Sequence, residues 1–128
     1  MNAVVATVNG TWLVDLETEE VVVQVDTAVR PQAVDIQLPL LVAAAASGST
    51  VLAVLDRRPP LVVSHDAGHT WHEAGGGLPK GNAVAIDESN PDRMLYAARN
   101  RLFVSGDGGR FWRALVLELP EITAVAFA

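Results

Sequence analysis

An all-β fold of about three four-stranded antiparallel blades is what this sequence predicts, and three observations carry the expectation. Short apolar runs of strand length recur along the 128 residues, parted by turn residues, and no segment of convincing length has a helical period. Two stretches align without a gap, Leu61-Val-Val-Ser-His-Asp-Ala-Gly-His-Thr-Trp71 and Leu102-Phe-Val-Ser-Gly-Asp-Gly-Gly-Arg-Phe-Trp112. The second lies about 40 residues beyond the first, within the range of propeller blades. Finally, the two ends of the chain are each a fragment of a blade, and each supplies what the other lacks.

The elements follow in order. Ala3 to Val8, Thr11 to Asp15 and Val21 to Val25 read as three strands, with Asn9-Gly10 as a hairpin signal between the first two. No innermost strand precedes them. Leu41 to Ala46, Val51 to Leu55, Leu61 to Ser64 and Thr70 to Ala74 read as one complete blade, with turns at Ser47-Gly48-Ser49, at Arg57 to Pro60 and at Asp66-Ala67-Gly68. Ala83 to Asp87, Met94 to Ala98, Leu102 to Ser105 and Phe111 to Leu117 repeat it, with a polar turn containing Asn90-Pro91 after the first strand. Ile122 to Ala128 resembles an inner strand with nothing outside it. Residues 1–128 therefore read as a single propeller segment whose blades are 122–128 plus 3–25, 40–75 and 82–118. Closed propellers typically need four to eight blades. We therefore expect the chain ends to pair between copies, so that a homodimer completes a six-bladed ring through a closing contact.

Composition excludes several classes. Half the residues are hydrophobic and 19% are charged, which argues against disorder. A net charge of -6 is the wrong sign for non-specific binding to nucleic acid. There is no cysteine for disulfide or thiolate chemistry. No apolar run reaches the roughly 18 residues needed to span a bilayer, and Met1 to Asn9 lacks the charged and apolar regions of a signal peptide. The expectation is a soluble, by default cytoplasmic, chain.

The pattern Ser-x-Asp-x-Gly-x-Thr-Trp, complete at Ser64, Asp66, Gly68, Thr70 and Trp71 and repeated at Ser105, Asp107, Gly109 and Trp112 with Phe111 in place of Thr, resembles the Asp-box, or bacterial neuraminidase repeat, family of β-propellers. The resemblance covers roughly residues 33–128, and Asp15 to Thr18 reads as a degenerate remnant. Members include sialidases, sortilin-type sorting receptors and photosystem-stability-type assembly factors. The resemblance implies that the motif holds a hairpin at the blade periphery, away from the ligand face. Physically, the Asp carboxylate suits backbone N–H groups across a turn, and the Trp ring suits burial over the hairpin.

A sialidase would further need an arginine triad, a tyrosine nucleophile with a glutamate partner and another acid. The one tyrosine, Tyr96, lies in a strand and reads as packing, and Val29-Arg30-Pro31 is only similar to an Arg-Ile-Pro motif. No catalytic set assembles, so we expect neither enzyme activity nor a cofactor. His65, His69 and His72 fall close together but alternate in direction, and the simpler reading is exposed variable positions rather than a metal site. The acidic stretch Asp15 to Glu20 lacks the spacing of a calcium loop. Arg57-Arg58 and Arg99-Asn100-Arg101 occupy the same connection in successive blades, and with Arg30 they would form a ligand face suited to anions. Against this stands the reading of solvated hairpin ends. The functional expectation is a non-enzymatic scaffold or binding module, acting as a homodimer on a protein or an anionic ligand. The alternative is a glycan-binding or sialidase-like protein, for which the three tryptophans are the natural stacking platforms.

Overall fold

A computed structural model describes residues 1–128. Twelve strands run in chain order: β1 (Asn2–Thr7), β2 (Gly10–Asp15), β3 (Glu20–Val25), β4 (Leu41–Ser47), β5 (Thr50–Leu55), β6 (Leu61–Ser64), β7 (His72–Ala74), β8 (Ala83–Asp87), β9 (Asn90–Ala98), β10 (Arg101–Ser105), β11 (Arg113–Ala114) and β12 (Ile122–Phe127). They form three four-stranded antiparallel sheets, and there is no helix. Consequently none is long and apolar enough to cross a membrane.

The first blade has the order β12-β1-β2-β3, the second β4-β5-β6-β7 and the third β8-β9-β10-β11. The chain ends meet within one chain: Ala3 pairs with Phe127 and Val5 with Val125. This corrects the expectation that the ends pair between copies. The missing inner strand is supplied by the same molecule, which removes an open edge that would otherwise be left with unpaired N–H and C=O groups.

Three strands differ from their sequence reading, each for a local reason. The run Thr70 to Ala74 shortens to β7, because the Thr70 N–H and hydroxyl bond the Asp66 carboxylate. The run Phe111 to Leu117 shrinks to the two residues of β11, because the Phe111 N–H bonds the Asp107 carboxylate and the Val116 N–H bonds Glu19 instead of β10. Asn90-Pro91 is not a turn but the start of β9, where a register shift lets Asp87 pair with Asn90 and Ile86 with Met94.

The core is the packing of blade on blade. The third blade lies in the middle. One of its faces (Ile86, Met94, Tyr96, Phe103) packs on Leu52, Val54, Leu61 and Val63 of the second blade. Its other face (Ala83, Ala85, Leu95, Leu102) packs on Ala3, Val5 and Val14 of the first. Leu61 and Leu102, or Val54 and Leu95, hold equivalent positions in the two repeats, and each points toward the next blade. The order is therefore second, third, first. The innermost strands β4, β8 and β12 line a common cavity of about 180 Å³ together with Pro31 and Gln32.

The connection from β3 to β4 runs back across this arc. The Gln32 side chain bonds both the N–H and the C=O of Ala46, clamping the connection to β4. Ile36 and Leu38 then cover Ala53, Leu55 and Val62 on the outer face of the second blade.

Between the second and third blades the backbone passes very close to Tyr96. A Cβ on Gly81 would meet the Ala97 carbonyl and the Tyr96 ring, whereas one on Gly76 would meet nothing. Gly81→Ala should therefore cost about 1–3 kcal/mol by overpacking. Gly76→Ala should stay within about 0.5 kcal/mol of wild type, both read from urea unfolding.

Candidate functional site

The repeated motif builds two superimposable hairpin caps from the third strand outward. β6 ends at Ser64, whose side chain is buried and whose hydroxyl donates to Asp66 Oδ1 at 2.7 Å. Ser64 Oγ in turn accepts the Gly68 N–H at 2.8 Å. Asp66 Oδ1 accepts the Thr70 N–H at 2.8 Å, and Oδ2 accepts the Thr70 hydroxyl at 2.6 Å. Trp71 donates its indole N–H to the Gly68 carbonyl at 3.0 Å. In the third blade Ser105 donates to Asp107 at 2.9 Å and accepts from the Gly109 N–H at 2.9 Å. Asp107 accepts from the Phe111 N–H at 3.0 Å, and Trp112 donates to the Gly109 carbonyl at 2.9 Å. The exchange of Thr for Phe111 removes one bond, the side-chain hydroxyl, and leaves the backbone bond in place. Gly109 has φ of 90°, a region that L side chains rarely adopt.

These bonds fix the charge state. The Thr70 hydroxyl and N–H, then Ser64, hold the Asp66 carboxyl far below its ordinary value. The Phe111 N–H and Ser105 do the same, less strongly, for Asp107. Hydrogen bonds to the ionised form favour it. Asp15 ends β2 at its turn to β3, the corresponding connection in the first blade, and accepts the N–H groups of Glu17 and Thr18. These two bonds lower its carboxyl as well. This turn has the same acceptor without the Ser, Gly and Trp that surround it in the other two blades.

Each intact cap rests on a neighbour. Trp112 and Gly109 lie against Val63 and Met94, the former in the preceding blade. Trp71 and Gly68 lie against Ile36, so the connection takes the position that a preceding blade would hold. All three tryptophans are half-buried. Trp12 is on the face toward the third blade, and its indole N–H is buried with no partner. Nothing in the sequence signalled that orphan donor.

The other sequence candidates do not converge. Arg57 pairs with Glu73 at 3.2 Å and Arg101 with Glu118 at 3.3 Å, each within its own blade. Arg58 and Arg99 are exposed at the same end of adjacent blades and form no ion pair. Arg30 lies elsewhere, in a groove lined by Asp87, Glu88 and Ser89 at the β8–β9 turn, the opposite end of the strands. The Gln32 clamp onto Ala46 holds it there. A single arginine rim including Arg30 is therefore not what the structure brings together. The His65 and His72 rings stack with centroids 5.3 Å apart, and His69 Nδ1 lies 2.6 Å from its own turn's Asp66 carbonyl. No group of three or more His, Asp or Glu is placed to hold a metal ion. Tyr96 is fully buried, donates to the Pro79 carbonyl at 2.6 Å, and burial pushes its hydroxyl up to about 12.

Sequence reasoning missed two polar devices. One is the Gln32 clamp, which no local pattern marks. The other is the turn at Asp87, which accepts the Ser89 N–H and hydroxyl; its Asp-x-Ser spacing is a signal of the kind used elsewhere.

No protein-family model matches this chain, and no curated protein or solved structure matches it either.

Carboxyls held below their ordinary value, near 3.8, stabilise the folded state above that value, and the contribution is lost as pH falls through the folded one. The melting temperature should therefore drop on acidification below about pH 4. The drop should be shallower in Asp66→Asn/Asp107→Asn, which begins from a lower plateau; an unchanged slope would remove these carboxyls from the account. Trp112→Phe loses a satisfied N–H, whereas Trp12→Phe removes an unsatisfied one. Denaturant curves should show Trp12→Phe as the milder change by about 1 kcal/mol.

Proposed function

We propose that this chain is a non-enzymatic scaffold of the Asp-box β-propeller type that presents its loops and blade surfaces to a partner. One observation carries the reading. The side chains that recur between repeats, Ser, Asp, Gly and Trp, are spent on holding hairpins, and the single tyrosine is buried with its hydroxyl engaged. Such a tyrosine has no access to substrate and a proton held too firmly for a nucleophile at neutral pH.

The arc of three blades supports a homodimer. Its end faces are those that elsewhere pack on a neighbouring blade. On the first blade the register aligns Val4, Leu13 and Val23 on the face opposite the third blade. Val23 is 50% exposed there. On the second blade the matching face, Ala53, Leu55 and Val62, is already covered by Ile36, Leu38 and Trp71, which would themselves meet a neighbouring blade. Two copies, each setting its first blade against the other's second, would close six blades and cover Val23.

The wild-type mass by light scattering should be twice 13.6 kDa across a dilution series. Leu13→Glu/Val23→Glu should return it to monomer. A folded wild-type monomer at all concentrations overturns the ring. The non-enzymatic reading is tested separately with a fluorogenic sialoside, for which no release is expected. Turnover that Tyr96→Phe abolishes would overturn it.

A further inference from the structure

The outer edges of the three blades are unlike one another. β7 has three residues and β11 two. Such short edge strands are a common protection against unwanted pairing. β3 has six residues, Glu20–Val25, and no strand is hydrogen-bonded beyond it. All of it but Val25 is exposed, and its sequence, Glu-Val-Val-Val-Gln-Val, has neither Lys nor Pro. A register shift at Leu13/Val14 leaves Val22 without an opposite residue, so Val23 to Val25 form the regular part of the ladder.

The ladder shows which backbone groups are free. Thr7 and Gly10 close a two-residue hairpin and therefore form a hydrogen-bonded pair. Alternation turns the N–H and C=O groups of Thr11 and Leu13 toward β3, and those of Val25 and Val23 back toward β2. The N–H and C=O of Gln24 point away from the sheet.

Charge selects the occupant. From Thr11 to Val29 there is no Lys or Arg, while Asp15, Glu17, Glu19, Glu20 and Asp26 lie in or beside the hairpin and β3. Glu20 and Asp26, at the two ends of the edge, form no ion pair; the nearby Glu19 is already paired with Arg113. A second copy would suit the edge poorly, because an antiparallel register that matches the valines brings Glu20 of one copy beside Asp26 of the other.

We propose that β3 is a strand-addition site for an extended segment of another protein, with alternating β-branched residues at its centre and a basic residue at each end. Main-chain bonds to Gln24 would give the pairing, Val23 and Val25, opposite Leu13 and Thr11, would meet the partner's side chains on one face, and Glu20 and Asp26 would meet its basic ends. The proposal rests on the binding-module reading and names its partner's chemistry. β3 is the outermost strand of its blade, away from the strands around the cavity, so its backbone edge stays open to pairing whether or not the ring closes.

The test is fluorescence anisotropy with the full chain and a labelled peptide, Lys-Val-Thr-Val-Thr-Val-Lys. Controls are the same peptide with Glu at both ends and a version N-methylated at its central residues. The basic peptide should bind at least about tenfold more tightly than either control. Gln24→Pro, which removes the outward N–H while sparing the β2 ladder, should weaken it by a similar factor. Glu20→Lys/Asp26→Lys should reverse the preference between the two end charges. Equal binding of all three peptides, or no binding, overturns the proposal, as does a light-scattering mass that falls on Gln24→Pro, which would mean that a second copy holds the edge. If the peptide fails while the dimer and the absence of sialoside turnover persist, the edge is wrong and the scaffold reading stands.

Discussion

A four-stranded sheet of short strands has two faces and too little material to cover either by itself. Each blade here alternates apolar residues on both faces, so each needs a neighbour on both sides. The third blade has two neighbours, and its residues from Met94 to Ala98 are all buried. The first and second blades have one each. The connection from β3 to β4 and the open face of the first blade both follow from this shortage. The connection folds back so that Ile36 and Leu38 lie where a blade would lie, while Val4, Leu13 and Val23 remain a face with no cover. The open face of the first blade is apolar in the same way as the internal ones.

The polar motif solves a different problem. A tight turn at the end of a short outer strand leaves backbone N–H groups without ladder partners. A serine and an aspartate in fixed spacing accept those protons, and an indole N–H takes up the carbonyl of the glycine. The cost is that the outer strand is consumed: the residues that bond the carboxylate cannot also bond the third strand, which is why β7 and β11 are so short. At Asp15, where the Ser, Gly and Trp of the motif are absent, the carboxylate accepts from Glu17 and Thr18, and the outer strand β3 has six residues.

The chemistry available to the molecule follows from the same division. Aspartates that bond two or three donors are fixed as anions and turned into the turn. Arg57 and Arg101 are held by carboxylates of their own blades. Among the groups left free are the backbone at the edge of β3, apolar area on the first blade, and the acids Glu20 and Asp26, which form no ion pair.

Much of this was legible in the sequence because it is local. Turn chemistry and alternation depend on neighbours a few residues apart, so the strands, the two caps and the blade to which Ile122–Phe127 belongs could be read from residue order alone. The lengths of β7, β9 and β11 could not, since they depend on how side chains compete for backbone protons across a turn. Nor could the path of the connection or the position of Arg30, which rest on Gln32 meeting Ala46 and Ile36 meeting Trp71. That the two ends pair within one chain was likewise decided by tertiary structure. Sequence shows that β12 and β1 are complementary, but only the packing of both against the third blade places them side by side in the same molecule.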